Sequence, residues 1–159
     1  EALMGRRTKA RECAFQILYQ HAITDEPMAR VVDGFWRVRS GTAAVKAMAE
    51  RLARGTAERA PALDQAIAAA AANWRLDRMA PVDRTILRLA AYELVAEADT
   101  PAAVVIDEAI ELAKRFGEAD SPAFVNGVLD AVRRQVRGGA AASGRRTKRT
   151  AAAGGGEGR

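Results

Sequence analysis

The chain has 159 residues, of which 49% are hydrophobic. This length supports one domain whose core needs neither a disulfide nor a metal ion. The single cysteine, Cys13, excludes an internal disulfide, and no apolar run has the length of a signal peptide or a membrane span. We therefore expect a cytoplasmic globular protein that does not bind a membrane and carries no cofactor.

The net charge of +5 is concentrated at the two ends of the sequence. Residues 1–11 carry four cations and one acid, residues 138–159 carry five cations and one acid, and the interior has a net charge of −2. A mildly acidic globule with basic ends is typical of a protein that touches a polyanion with an arm. Basic ends can also be solubilising extensions, so charge alone leaves both interpretations open.

Residues 6–22 predict an amphipathic helix, whose apolar face carries Ala10, Cys13, Ala14, Ile17, Leu18 and His21. Its N-terminal end is rich in cations, namely Arg6, Arg7, Lys9 and Arg11. Cations at a helix N-terminus oppose the macrodipole at a cost of about 0.3–1 kcal/mol each, so helix stability does not explain them. A role in phosphate binding does explain the position of these cations. Residues 1–5 are interpreted as a disordered or cloning-derived segment that precedes the domain.

Helical spacing continues through the first half of the chain. It predicts a second helix over Met28–Trp36, a third that begins near Val45 and either frays around Gly55 or ends before Pro61, and a fourth over Leu63–Trp74. Few β-branched residues alternate, and Ala-rich runs are frequent, so local preference favours helix nearly throughout. The sequence therefore predicts an all-α protein.

Residues 81–95 predict the central helix, around which the other elements pack. Pro81 suits the first helical position, and Asp83 lies in the first turn, where the dipole favours a carboxylate. The apolar sector covers more than half of the circumference and leaves a polar wedge of Arg84, Thr85 and Arg88. Glu93 lies inside the apolar sector, so we expect an arginine or backbone amides to pair with it.

Two further helices are predicted over Pro101–Phe116 and Pro122–Val136. Gly127, in the middle of the last helix, is interpreted as allowing a close backbone approach. An acidic cluster on the first of the two is interpreted as a solvated face, with Glu111 paired to Arg115. The cluster comprises Asp107, Glu108 and Glu111. The folded domain is thus expected over residues 6–137, followed by a disordered, basic, Gly/Ala-rich tail over residues 138–159.

Four segments, taken in order, resemble the bacterial transcription antitermination factors of the NusB family. They are residues 7–19, 83–94, 101–117 and 120–130. The resemblance runs from about Arg6 to Val136 and is more specific than any single short motif. It implies two packed, roughly perpendicular three-helix bundles. It also implies binding of boxA RNA from ribosomal RNA operons, together with the ribosomal protein NusE, in the RNA polymerase antitermination complex.

The resemblance also assigns roles to individual residues. The positions that would contact RNA are Arg6, Arg7, Lys9 and Arg11, with Asp120 and Phe124 as a second RNA-proximal region. The positions that would face NusE are Tyr19 and Asp83. Thr8 and Lys9 stand where the family often has consecutive arginines, and a lysine offers only a point charge instead of a bidentate contact. Phe124 fits base stacking or simple packing in the core.

Other functions have weaker support in the sequence. The only histidine, His21, has no cysteine at metal-binding spacing, so a packed or capping role is favoured over a ligand or base. No Gly-rich phosphate loop or nucleophile motif is present, and we predict a protein without catalytic or metal-binding residues. The alternative function is a helical protein-interaction adaptor, or a homodimer, without specific RNA binding.

Overall fold

The computed structural model describes residues 2–71 and 79–138. Within these ranges the chain forms seven α-helices and no strand. The helices are α1 (Ala2–Thr24), α2 (Met28–Val38), α3 (Ala43–Glu58), α4 (Ala60–Ala70), α5 (Pro81–Ala96), α6 (Ala102–Phe116) and α7 (Ser121–Arg133). A π-helical turn, Arg134–Gly138, follows α7. The predicted all-α class is confirmed.

Some predicted boundaries differ from the observed ones. Helix α1 begins at Ala2, four residues before the predicted start of the domain at Arg6. Helix α3 does not fray at Gly55 and ends at Glu58, which agrees with the alternative prediction of an end before Pro61. Trp74 and the tail over residues 139–159 lie outside the described residues. No helix in the described part of the chain is long and apolar enough to cross a membrane.

Helix α5 is the central element, as predicted. It contacts α1 and α3 on one side and α4, α6 and α7 on the other, so it joins two packed groups of helices, α1–α3 and α4–α7. From Thr85 to Leu94 all residues except Arg88 are buried. A helix surrounded in this way has almost no face left for solvent, which explains its nearly continuous apolar sequence.

The polar wedge of α5 is satisfied within the protein. Arg88 forms a bidentate ion pair with Asp64 of α4, with Nε–Oδ1 and Nη2–Oδ2 distances of 2.6 and 2.7 Å. The buried Thr85 hydroxyl donates to the carbonyl oxygen of Pro81 at 2.7 Å. Fixed partners such as these allow polar side chains to sit in a covered interface. Within the wedge, Arg88 therefore docks α5 to α4, whereas Thr85 is satisfied inside its own helix.

Arg137 closes the C-terminal end of the described domain. Its guanidinium donates to three backbone carbonyl oxygens, those of Leu94, Thr100 and Glu97, at 3.2, 2.8 and 3.3 Å. These carbonyls lie at the end of α5 and in the connection to α6, where α5 has no further turn to donate N–H groups to them, although the Thr100 amide also donates to the Glu97 carbonyl at 3.0 Å. A cation at the C-terminal end of a helix also complements the macrodipole.

The close helix approach involves Gly55 and not Gly127. A Cβ atom built on Gly55 would lie 2.2 Å from the Tyr92 hydroxyl oxygen, whereas one built on Gly127 would meet nothing within 4 Å. The interpretation of Gly127 as a close-approach residue was therefore wrong. Tyr92 is buried, and its ring packs against α3 because residue 55 has no side chain.

We predict opposite effects for alanine at these two glycines. Gly55→Ala should lower the free energy of unfolding by about 1–3 kcal/mol, because the Tyr92 ring must move out of a packed site. Gly127→Ala, the matched control, should be neutral or should raise it by up to about 1 kcal/mol through helix propensity. Urea unfolding followed by circular dichroism measures both. Equal effects of the two substitutions would contradict the assignment.

Candidate nucleic-acid interface

The first turns of α1 present three exposed cations, Arg6, Arg7 and Lys9. They lie before Ala10, the first buried residue of the helix. The first turn of α1 carries no acid, and the three cations follow it in the second and third turns of the helix. These three side chains form the exposed basic end of α1, which is suited to phosphate contacts.

Arg11, the fourth predicted cation, does not belong to this surface. It is only 3% exposed, and its Nε donates to both Glu93 carboxylate oxygens, at 2.9 and 3.1 Å. The buried guanidinium cannot reach a nucleic acid without breaking this pair, so we remove Arg11 from the RNA-contacting set. The same contact confirms the prediction that an arginine pairs with Glu93.

Burial of the Glu93 side chain disfavours its ionised form. Burial raises the pKa of its carboxyl, although the Arg11 guanidinium acts in the opposite direction. The folded chain therefore retains this proton to higher pH than the unfolded chain does. As a consequence, the contribution of Glu93 to the free energy of unfolding falls as the pH rises from its ordinary pKa through the raised value.

Glu108 is a second anchor for the start of α1 and not a member of a solvated face. Its Oε1 accepts a hydrogen bond of 2.8 Å from the Thr8 hydroxyl and lies 4.0 Å from Arg11 Nη1. Its side chain is 19% exposed. The interpretation of this acid as solvated was therefore wrong, although its neighbour Asp107 is exposed.

Glu12, one turn after Thr8 on α1, also connects α1 to α6. Its carboxylate accepts from Arg115 Nη1 of α6 at 2.8 Å and from Arg39 Nη2, after α2, at 3.3 Å. Arg115 thus pairs across to α1 instead of with Glu111, which bonds Lys114 at 3.2 Å. Acidic side chains on α1, α5 and α6 and their arginine partners hold α1 in place, while the three cations before Ala10 stay exposed.

The second predicted RNA region lies at the start of α7. Asp120 is exposed and occupies the N-cap position, where its side chain makes no capping hydrogen bond. Instead, the buried Ser121 hydroxyl accepts from the Glu118 amide at 3.0 Å. Phe124 is partly buried and packs against the core, so part of its ring remains accessible. The Ser121 hydroxyl thus holds the turn that precedes α7 and caps no N–H of the helix, and the Asp120 side chain is exposed.

The two predicted RNA regions lie along one side of α1. Thr8 bonds Glu108 near the middle of α6, and Phe15 packs against Phe116 at the end of α6, with ring centroids 4.9 Å apart. Helix α6 thus runs alongside α1, and the loop to Asp120 follows Phe116. From Thr8 to Phe15 the helix rises about 10 Å, so the basic end and this loop are separated by about that distance along α1.

Tyr19 lines an open groove with a volume of about 720 Å³. Its ring stacks on Phe15 with centroids 5.9 Å apart. The other walls come from α2, α5 and α6, through Phe35, Val38, Val82 and Phe116. Val38 is 92% exposed, which is unusual for a large apolar side chain that closes a groove. The family resemblance identified Tyr19 but not the residues that three other helices bring beside it.

Asp83, the other predicted partner-facing residue, is next to the groove residue Val82 in the first turn of α5. Its Oδ1 is buried and accepts no hydrogen bond from the residues that the structure describes. A buried carboxylate oxygen without a donor is costly, and such groups are rare in folded proteins. The structure thus brings Tyr19 and Val82 to one groove, and Asp83 follows Val82 in the chain but does not line the groove.

His21 has the structural role that the sequence favoured. Its Nδ1 lies 2.7 Å from the carbonyl oxygen of Glu26 and ties the end of α1 to the connection before α2. Among the residues that the structure describes, no group of three or more potential metal ligands occurs. The histidine therefore belongs to the packing of the first helical group.

The fold and the site define an all-helical binding protein with a basic helix end and an apolar groove. The NusB family model matches residues 8–134. The chain belongs to the NusB family. This is a family of transcription antitermination proteins and not of enzymes, in agreement with the sequence prediction.

Relatives and solved structures support this assignment over most of the chain. The transcription antitermination protein NusB of Sorangium cellulosum is 48% identical over 129 residues, covering 81% of this chain and 92% of that protein. That of Anaeromyxobacter dehalogenans (strain 2CP-1 / ATCC BAA-258) is 50% identical over 131 residues, covering 82% and 92%.

Two solved structures share the fold. The T. maritima NusB structure has a TM-score of 0.74 and 38% identity, covering 81% of this chain and 91% of its own. A chain from a complex of the antitermination factors NusB and NusE with double-stranded RNA has a TM-score of 0.74 and 25% identity, with coverages of 83% and 98%.

The buried Arg11–Glu93 pair yields a prediction about stability. Arg11→Met should lower the free energy of unfolding by about 3–5 kcal/mol at neutral pH, because it leaves a buried carboxylate unpaired. This loss should shrink towards acid pH, where Glu93 takes up a proton. Glu93→Leu should lack this acid recovery, because arginine does not release its proton. Urea unfolding at several pH values measures both effects.

Combining the two substitutions gives a sharper test. The double variant should be less destabilised than the sum of the single variants by about 0.5–3 kcal/mol. The exposed Arg37–Asp33 pair, at 2.7 Å, is the matched control and should show a coupling of only about 0.3–0.5 kcal/mol. Additive effects at Arg11 and Glu93 would refute a coupled pair.

Proposed function

We propose that this chain binds boxA-type RNA of ribosomal RNA operons together with NusE, as the RNA-binding component of an antitermination complex on RNA polymerase in the cytoplasm. The observation that carries the proposal is the exposed basic end of α1, formed by Arg6, Arg7 and Lys9. Membership of the NusB family and the NusB–NusE–RNA complex with the same fold support it.

The placement of these cations has no structural benefit for the helix. Because α1 begins at Ala2, they lie beyond its first turn, where the dipole effect is small, and the nearby acids Glu12, Glu93 and Glu108 have other partners. An RNA backbone supplies the missing negative charge. Arg6 and Arg7 can each hold a phosphate with two hydrogen bonds, whereas Lys9 provides a point charge.

The start of α7 provides a second contact for the RNA in this proposal. The accessible part of the Phe124 ring can stack on an unpaired base, a contact worth about 1–3 kcal/mol. The outward carboxylate of Asp120 can accept a hydrogen bond from a base amino group or a ribose hydroxyl. Phosphate contacts at α1 would then fix the position of the RNA, and the α7 contacts would contribute base recognition.

NusE is proposed to bind at Tyr19 and Asp83, beside the groove. An aromatic residue with an apolar body and a polar hydroxyl is a frequent centre of protein interfaces. Asp83 is only partly buried, so the accessible part of its side chain would contact the partner, although its Oδ1 lies buried. RNA binding and NusE binding therefore use different residues and should be separable.

The RNA contact can be tested in a chain that ends at Gly138, so that the tail cations do not contribute. Replacing Arg6, Arg7 and Lys9 by alanine should weaken binding to boxA RNA. It should also flatten the slope of log affinity against log salt by about 0.7 per lost phosphate contact on single-stranded RNA. Fluorescence anisotropy across a salt series measures both quantities, and NusE binding should stay unchanged.

The control is a triple alanine variant at Arg30, Arg37 and Arg54, which are exposed cations of α2 and α3. This control changes the net charge by the same amount as the variant at the basic end of α1. It should leave the affinity for boxA RNA and the salt slope nearly unaltered. If the variant at the basic end of α1 bound boxA RNA with unchanged affinity and slope, that end would be only a solubilising extension. The adaptor or homodimer function would then be favoured.

The partner site has its own test. Asp83→Lys should weaken NusE binding at least about tenfold, because it replaces the acceptor by a cation in a partly buried position. RNA binding in the absence of NusE should remain as in the parent chain. Asp99→Lys, at an exposed acid after α5, is the control. Isothermal titration with purified NusE measures the effect, and equal affinities for the two variants would exclude Asp83 from the interface.

A further inference from the structure

Two arginines from different parts of the fold share one acid on the exposed side of α1. Glu12 accepts from Arg115 Nη1 of α6 at 2.8 Å and from Arg39 Nη2, after α2, at 3.3 Å. We propose that Arg39 and Arg115, the bridging arginines, hold RNA phosphates between the basic end of α1 and the start of α7, and that Glu12 positions them. This inference rests on the RNA-binding function proposed above and adds a third contact to it.

The acid lies beneath the two cations that it holds. The side chain of Glu12 is 11% exposed, whereas those of Arg115 and Arg39 are 64% and 32% exposed. One carboxylate compensates only one of two positive charges, so the group keeps a net positive charge and presents guanidinium groups to solvent. A surface of this kind attracts a phosphate, and its acid holds the arginines without covering them.

Other contacts also hold each guanidinium in place. That of Arg39 donates to the side-chain oxygen of Gln16 and lies 6.0 Å from the centre of the Phe35 ring. That of Arg115 lies 5.5 Å from the centre of the Phe116 ring, and only one of its nitrogens donates to an acceptor among the described residues. Its remaining N–H groups can form the two parallel hydrogen bonds that an arginine makes with a phosphate.

The bridging arginines lie between the two RNA regions of the proposed function. Lys9, the last cation of the basic end, is three residues before Glu12 and seven before Gln16, so the three lie on one side of α1. From Lys9 to Glu12 the helix rises about 4.5 Å. Arg115 is followed by Phe116 and the loop to α7. A strand that runs along this side of α1 from the basic end to the start of α7 therefore passes both arginines.

The first test uses the full chain and a single-stranded RNA that contains boxA. Arg115→Ala should weaken binding about fivefold at about 0.1 M salt and flatten the slope of log affinity against log salt by about 0.7, the value for one phosphate contact. Arg39→Ala should have a similar effect. Fluorescence anisotropy across a salt series measures both quantities, and the melting temperature shows that the variants remain folded.

Lys114→Ala is the matched control for Arg115→Ala. It removes the same charge one residue away, but Lys114 pairs with Glu111 of its own helix at 3.2 Å and does not reach across to α1. Its affinity and salt slope should equal those of the parent chain. Equal losses for Lys114→Ala and Arg115→Ala would indicate general attraction and overturn the proposal, as would unchanged binding by both arginine variants.

Neutral linkages in the RNA locate the contact. A methylphosphonate linkage carries no charge, so at the contacted phosphate it should weaken binding by the parent chain but not by Arg115→Ala, which has already lost that contact. This linkage should lie between the one that responds to Lys9→Ala and the base that responds to Phe124→Ala. If no linkage is coupled to either bridging arginine, these side chains act only on the fold, and the proposal is wrong.

Glu12→Gln tests the positioning role. It keeps the shape of the side chain and raises the net charge by one, which by itself would strengthen RNA binding. If Glu12 positions the bridging arginines, the variant should instead bind more weakly, and the effect of the methylphosphonate coupled to Arg115 should shrink. Equal or tighter binding would overturn this role.

Failure of this inference can be separated from failure of the proposed function. If the variant at the basic end of α1 loses RNA binding and the variants at Arg39 and Arg115 do not, only the bridging contact is excluded. If none of these variants loses binding, the proposed function fails as well.

Discussion

The arrangement of this protein depends on one buried ion pair, between Arg11 of α1 and Glu93 of α5. Two charges taken out of water are stable only when their geometry is good and their remaining hydrogen-bonding groups are satisfied. Here the carboxylate receives two hydrogen bonds from one guanidinium nitrogen, and Glu108 lies nearby. The pair joins the two helical groups, because α5 belongs to one and α1 to the other.

This contact divides α1 into two parts with different tasks. From Ala10 onward the helix packs, with Cys13, Ala14 and Ile17 fully buried. Before Ala10 it carries exposed cations that no acid among the described residues neutralises. Because both parts belong to one continuous helix, the rigid packing of the second part fixes the position of the first. A basic segment held in this way loses less conformational entropy on binding than an unstructured one.

The helices could be predicted well from the sequence, but the contacts between helices could be predicted less well. Apolar periodicity and the prolines at helix starts identified all seven helices, and the charge inside the apolar sector of α5 correctly indicated a buried partner for Glu93. Periodicity could not show that this partner was Arg11, because the two positions are 82 residues apart. A cation near a helix N-terminus has the same pattern whether it faces solvent or a carboxylate on another helix.

The remaining differences have the same physical origin. Glu108 was interpreted as solvated because its neighbours along α6 are charged, yet α1 covers it through Thr8. Gly55 and Gly127 are equivalent in local sequence terms, and only the position of the Tyr92 ring on α5 separates them. The groove at Tyr19 is assembled from four helices, so no single helix carries its pattern. Each missed feature depends on a contact between distant parts of the chain.

The hydrogen bonds of Arg137 bear on where an independently folding fragment ends. The family match stops at Arg134, three residues before the guanidinium that satisfies the carbonyls of Leu94, Glu97 and Thr100. A fragment cut at the end of that match would expose these acceptors at the junction of α5 and α6. The part of the chain that folds together therefore extends beyond the residues that match the family model. Fragments for biophysical work should include the chain through Gly138.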